Sequence, residues 1–164
     1  MQRIKGAVAL LFVLTCLAAG LEKEYKGSII EVIDGDTYLF RTDDGIFRVR
    51  SYGIDAPEGN QPSGRESAAF LSKYLHKDAI LKVKSTDRYQ RKLGTLFVDG
   101  KDINLLEVRK GYAWHYKRYQ KDPEYATAQE YARSNKLGIW KLPKPVAPWN
   151  WRHVEREEGV FHHR

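Results

Sequence analysis

The chain has 164 residues, 42% of them hydrophobic and 30% charged, with a formal net charge of +7 and a pI near 9.4. That length supports one domain around one sizeable core, and the balance of apolar to charged residues excludes a disordered polyelectrolyte. The basic excess points to an anionic partner, either nucleic acid or an acidic membrane surface, without choosing between them.

The first twenty residues read as an export signal. Arg3 and Lys5 form a basic start, and Ala18-Ala19-Gly20 supplies the small residues that cleavage requires. The apolar run between them is shorter than the roughly 20 residues a spanning helix needs. The expected organisation is a signal over 1–20, a folded domain over 21–142 and a Pro/Trp-containing charged tail over 143–164. The only cysteine, Cys16, falls inside the signal, so the exported chain has no disulfide and no thiolate metal site. A lipid anchor through Cys16 is the alternative to free export, although Val13-Leu14-Thr15 puts no small residue immediately before it. No helical stretch combines a lysine-rich face with a broad apolar one, which argues against membrane adhesion. The expected product is a secreted or periplasmic monomer with no stable membrane insertion once the signal is removed.

In chain order, residues 25–33 form a β-rich run ending at Asp34-Gly35, a hairpin signal because such a turn favours positive φ. Residues 36–41 alternate, with Tyr38 and Phe40 on one face and Leu39 on the other. Asp43-Asp44-Gly45 makes a second turn and residues 46–52 a third strand. Ser63-Gly64-Arg65-Glu66 has the spacing of a capping box, and Phe70, Leu71, Tyr74 and Leu75 repeat at helical intervals behind it. Residues 79–84 and 92–98 are strands four and five, separated by a polar loop. Asp102 can cap a helix that buries Leu105, Leu106 and Val108 before Gly111 stops it. Asp122-Pro123 starts another, with Tyr125, Ala128 and Ala132 inward and Gly138 as its stop. From Pro143 onward, prolines break regularity. The sum is an α+β domain: a five-stranded OB-type β-barrel with three α-helices.

The chemistry concentrates in residues 32–58, which begin V-I-D-G-D-T and end R-S-Y-G-I-D-A-P-E. A meander would return one end to the other and gather Asp36, Asp55, Glu58 and Arg50. Aspartates beside turns are ordinarily turn formers, and Asp34 fits that role. Three converging carboxylates, however, repel one another unless a cation joins them, and hard oxygen ligands favour calcium or magnesium over zinc. Arg50 and Arg91 are suited to the paired oxygens of a phosphate, and Tyr89 beside Arg91 to a base or phosphate. Among the later aromatics, Tyr112 and Trp114 are expected to pack helices, while Tyr116 and Tyr119 are candidates for stacking on bases. His115 has no nucleophile positioned beside it, and His162 and His163 have no ligand spacing. The tryptophans of Pro148-Trp149-Asn150-Trp151-Arg152 need a surface to cover, this chain's own or a partner's.

Taken in order, V-I-D-G-D-T, R-x-x-G-I-D-A-P-E, S-G-R-E-S, D-R-Y-Q-R and G-I-W resemble the staphylococcal nuclease family over residues 25–142. The resemblance implies a calcium-dependent endonuclease acting on DNA and RNA and leaving 3′-phosphate ends. It implies Asp36, Asp55 and the carbonyl of Ala56 as Ca2+ ligands, and Glu58 as the base that activates water. Arg50 and Arg91 would grip the scissile phosphate, and Arg88 and Tyr89 would contact the nucleotide. Ala56 stands where some members have threonine, and Gln90 replaces the usual glycine before the second arginine. The alternative is a nucleic-acid-binding module of the same fold without cleavage, but the set Asp36, Arg50, Asp55, Glu58 and Arg91 is complete here and a binder has no need of it.

Overall fold

Short β-rich runs joined by tight connections make β1 (Lys23–Val32), β2 (Thr37–Thr42) and β3 (Gly45–Ser51) an antiparallel meander, with Ile29, Tyr38, Phe40 and Val49 fully buried on its inner face. These features come from a computed structural model that describes residues 22–161, and side chains as far as residue 156. The expected signal, Cys16, His162 and His163 lie outside the described residues. β5 (Ala79–Thr86) pairs antiparallel with β1, and β6 (Lys92–Val98) with β5. The barrel shuts where β6 runs parallel to β3 through three residue pairs, Val49↔Lys92, Arg50↔Leu93 and Ser51↔Gly94. Leu81 and Leu96 add to the interior, and Leu71 and Ile103 from two helices plug it. Each such side chain contributes about 2 kcal/mol by leaving water.

Short pieces complete the frame. β4 (Ile54–Asp55) pairs with β8 (Trp114–His115), and β7 (Lys101–Asp102) extends the sheet beyond β6. Around the barrel lie α1 (Gly64–Ser72), α2 (Ile103–Lys110), α3 (Pro123–Ser134), a 3-10 turn (Gly138–Lys141) and α4 (Pro148–Phe161). A second apolar cluster of Ile54, Ala56, Val108, Ala113, Tyr125 and Ala128 joins β4 to α2 and α3. No helix among the described residues is long and apolar enough to cross a membrane.

The five-stranded barrel agrees with the sequence reading, and several details do not. The link from β1 to β2 is a four-residue loop whose Ile33 and Asp34 amides both donate to the Thr37 carbonyl, rather than a two-residue turn. Gly35 is not in the positive-φ region; it is required because a Cβ there would come within 2.6 Å of the Ala56 and Ser67 side chains. Ser63 precedes α1 at φ 70 and makes no capping bond through its side chain, so the capping box does not form. In α2 the buried face is Ile103, Asn104, Glu107 and Val108, with Leu105 and Leu106 only partly covered. The Asn104 amide explains this rotation: it donates to the carbonyls of Tyr52 and Gly94 and accepts from the Leu96 amide, tying α2 to the barrel. α3 ends at Ser134, and Gly138 opens the 3-10 turn instead of stopping the helix. The segment from Pro148 is a fourth helix, not an irregular tail, because proline at a helix start loses no hydrogen bond.

Candidate active site

One cleft of about 500 Å³ gathers most of the residues singled out from the sequence. Asp36, Arg50, Asp55, Ala56, Glu58, Tyr89, Arg91, Tyr116 and Tyr119 all line it, together with Asp34, Asp87 and Arg152. Arg88 does not line it; its guanidinium lies over the Tyr89 ring and donates to the Tyr89 hydroxyl at 2.5 Å.

Asp36 and Asp55 are 4% and 0% exposed. Asp36 leads into β2, where its own amide donates to Asp34 at 3.0 Å, so Asp34 is the turn former. One Asp36 oxygen accepts from the Ala56 amide at 2.6 Å, which joins the β1–β2 loop to the end of β4. Burial pushes the Asp36 carboxyl up to about 8, against the opposing pull of Arg50 and the Ala56 amide. Asp55 is fixed by the β4–β8 pairing, where it stands opposite Trp114.

Arg50 projects from β3 between the two aspartates, 2.9 Å from Asp36 and 2.6 Å from Asp55. It also donates to the carbonyls of Ser51 and Ile54, at 3.1 and 3.0 Å. Both its terminal nitrogens are thus engaged by the protein. Arg91 is held differently. Asp87 accepts from the Arg91 guanidinium at 2.9 Å and from the Tyr89 and Arg91 amides, each at 2.9 Å. Burial pushes the Asp87 carboxyl upward, yet these hydrogen bonds outweigh it and hold the carboxyl below its ordinary range. The loop they close passes through Gln90 at φ 62, where L side chains are strained.

Glu58 sits in a tight turn before α1. The Glu58 carbonyl accepts from the Gln61 amide at 2.9 Å, and a Cβ on Gly64 would fall 1.9 Å from that same oxygen. Gly64 therefore lets the helix start seat directly on the Glu58 turn. Gln61 is buried and bonds both ways, accepting from the Glu58 amide at 3.2 Å and donating to the Val146 carbonyl at 2.7 Å.

The sequence reading left Arg152 without a role. From α4 it donates to Asp55 at 2.8 Å and to Glu58 at 2.5 Å. Its only sequence signal was the neighbouring pair of tryptophans, whose surface proves to be the chain's own: Trp149 stacks on Tyr116 at 5.3 Å and meets Trp114 edge-on at 5.7 Å. Tyr112 and Trp114 pack as expected, against Phe70 and Trp140. His115 is buried, with Nε2 against the Gln120 carbonyl. Beneath the cleft, Glu107 of α2 is 1% exposed, and neither of its carboxyl oxygens has a hydrogen-bond partner among the described residues. Burial, reinforced by Asp36, pushes its carboxyl well above the ordinary range despite Arg50.

Among the described residues, no three His, Cys, Asp or Glu side chains are gathered as a ready-made metal site; the carboxylates are turned toward guanidinium groups instead. The donor set still suits a hard divalent cation. Five acidic side chains, Asp34, Asp36, Asp55, Glu58 and Asp87, line the cleft against three arginines, and two of the five are almost wholly buried.

Comparison with known proteins gives a consistent picture. Residues 48–142 match the family described as "Staphylococcal nuclease homologue". An "Uncharacterized endonuclease" of Haemophilus influenzae is 36% identical over 155 residues, covering 93% of this chain and 87% of its own. "Protein ParB" of Escherichia coli is 34% identical, covering 97% of this chain and 96% of its own. "Staphylococcal-like nuclease CAN1" of Arabidopsis thaliana is 37% identical over 111 residues, which cover 67% of this chain but 34% of that longer protein.

Proposed function

The chain belongs to the staphylococcal nuclease family, and from that premise we propose that it is a calcium-dependent endonuclease, hydrolysing phosphodiester bonds of DNA and RNA to leave 3′-phosphate ends. The observation that carries the calcium dependence is the acidic excess lining the cleft. A polyanion does not enter an acidic cleft unless a cation joins it, and carboxylate oxygens suit Ca2+. Asp36 and Asp55 would hold the ion, with the Ala56 carbonyl as the third protein ligand. When bound, calcium offsets charge on the phosphate and on the attacking oxygen.

The remaining work falls to side chains of this chain. Glu58 takes the proton from the attacking water, which it can do only with a carboxylate oxygen free and within about 3 Å of that water. Arg50 on β3 and Arg91 just ahead of β6 offset the second negative charge that develops as the phosphate becomes five-coordinate. A guanidinium gives up its proton too reluctantly to serve as an acid, so Arg91 stabilises charge and the leaving 5′ oxygen is protonated from water. Tyr89 and Tyr119, both substantially exposed at the rim, offer faces on which a base can stack, and Arg88 braces Tyr89 from behind. Tyr116 offers a further face when Trp149 is away from it.

Export to the periplasm or the medium suits such an activity, since it keeps a nuclease away from its own genome. The test is incubation with single-stranded DNA, duplex DNA and RNA, with calcium or with chelator, followed by analysis of product ends. Calcium-dependent cleavage leaving 3′-phosphates is the expected result. Binding without cleavage in the presence of calcium would refute it.

A further inference from the structure

Arg152 stands in the way of the chemistry just described. Its side chain is 39% exposed, so it enters the cleft from the rim rather than from the core. Even so, it donates to both oxygens of Asp55, at 2.8 and 3.3 Å, and to Glu58 at 2.5 Å. A carboxylate bonded to a guanidinium is a poorer base and a poorer cation ligand, because its lone pairs are already engaged.

The rest of α4 closes the site in the same sense. Trp149 lies nearly parallel to Tyr116, with 13° between the rings, and so covers a face that a base would use. Before the helix, the Val146 carbonyl is held by Gln61, and one turn beyond Arg152, Glu155 accepts from Asn60 at 2.5 Å. Asn60 and Gln61 both belong to the Glu58 turn, so the segment is tied to that turn at points before and after Arg152. Yet no α4 side chain belongs to the three buried apolar clusters of the described residues. It is anchored at its start, where Pro148 is buried and the Trp151 indole nitrogen is shut from solvent, while Arg152 and Trp149 hold the cleft by polar and ring contacts that can be exchanged without unfolding the domain.

We propose that α4 is a self-inhibiting strap in which Arg152 is a resident counter-ion, competing with the divalent cation for Asp55 and Glu58 and leaving, with Trp149, when that cation binds. The proposal rests on the calcium reading above. The strap makes cation binding and opening of the base-stacking surface one event, so that nucleic acid meets a competent site only where calcium is plentiful.

The test measures calcium affinity rather than activity. Titration calorimetry on the full chain and on Arg152→Gln should show about tenfold tighter binding in the variant, the size expected for a partly exposed charge contact worth about 1.4 kcal/mol. Trp149→Ala, which loosens the strap without touching the charges, should tighten binding by a smaller factor, and decides the matter if Arg152→Gln fails to fold. In the unsubstituted chain, calcium should change tryptophan emission and speed tryptic cleavage after Arg152 and Arg156. Equal or weaker calcium affinity in both variants, with normal binding by the unsubstituted chain, overturns the strap alone. Absence of calcium binding in every form overturns the strap together with the metal reading.

Discussion

Replacing Glu107 by glutamine should stabilise the protein by an amount that grows with pH. Glu107 is 1% exposed on the inner face of α2, with neither oxygen hydrogen bonded among the described residues, so ionising it in the fold would leave an unpaired buried charge. Burial first, and then the Asp36 charge, push its carboxyl well above the ordinary 4.5, with Arg50 pulling the other way. The unfolded chain ionises this group near 4.5 while the folded chain keeps the proton. The folded state therefore holds more protons above that pH, and stability falls as pH rises through the window. The slope is about 1.4 kcal/mol per pH unit. Glutamine has the same outline and no ionisation, so it removes the slope. Above about pH 5 its advantage over glutamate should grow with each pH unit over which the folded chain keeps the proton, by at most about 1.4 kcal/mol per unit. Any cost of burying the amide is the same at every pH and cancels in the comparison. Urea unfolding followed by tryptophan fluorescence, on both forms at several pH values, measures the change. A pH-independent difference, or one that shrinks with pH, would show that Glu107 is charged and compensated in the fold.

Four further outcomes follow from the cleft. Glu58→Gln should lower turnover by about 10²- to 10⁴-fold, the range for a lost general base, with nucleic-acid binding retained; an unchanged rate would assign the base elsewhere. Since the Asp36 carboxyl is pushed up to about 8, calcium binding near pH 7 should expel close to one proton, and fewer as pH rises beyond that value. Calorimetry in buffers of different ionisation heat counts it, and a proton count of zero at neutral pH would mean Asp36 is already ionised. Gln90→Gly should relieve the strained φ of 62 and raise stability by about 0.5 kcal/mol, the relief slightly exceeding the extra freedom gained by the unfolded chain; a loss of stability would refute that balance. Nucleic-acid affinity should fall linearly with the logarithm of salt concentration, because phosphate contacts release counterions, and a flat dependence would remove phosphate from the binding site.

The strands were legible because short β-rich runs carrying Ile29, Tyr38, Phe40, Val49 and Leu81 are bounded by turn residues, and within them inward and outward positions alternate with period two. The gathering of Asp36, Arg50, Asp55 and Glu58 followed from the same meander. What misled the reading of α2 was the habit of placing polar residues outside. Asn104 faces inward because it satisfies barrel carbonyls, and Glu107 because its position on the same stripe leaves it no alternative. Ser63 looked like a cap from its spacing to Glu66, but the close seating of Gly64 on the Glu58 turn sets the backbone there, at an angle a capping serine does not adopt. Arg152 was invisible for another reason: an arginine ninety-odd residues from its partners leaves no periodicity to detect, and the prolines before it suggested irregular chain instead of a helix start.

The seam at which β3 meets β6 has a bearing on when the protein can act. It is the last closure of the barrel in topological order, a parallel pairing of three residues between segments some forty positions apart, and such long-range contacts are slow to form because the intervening loop must be ordered first. Arg50 lies in that seam and Arg91 immediately precedes it. On the proposed mechanism, a chain whose seam has not closed has Arg50 and Arg91 on separate, unjoined strands and cannot cut. On that reading, appearance of nuclease activity during refolding serves as a clock for barrel closure.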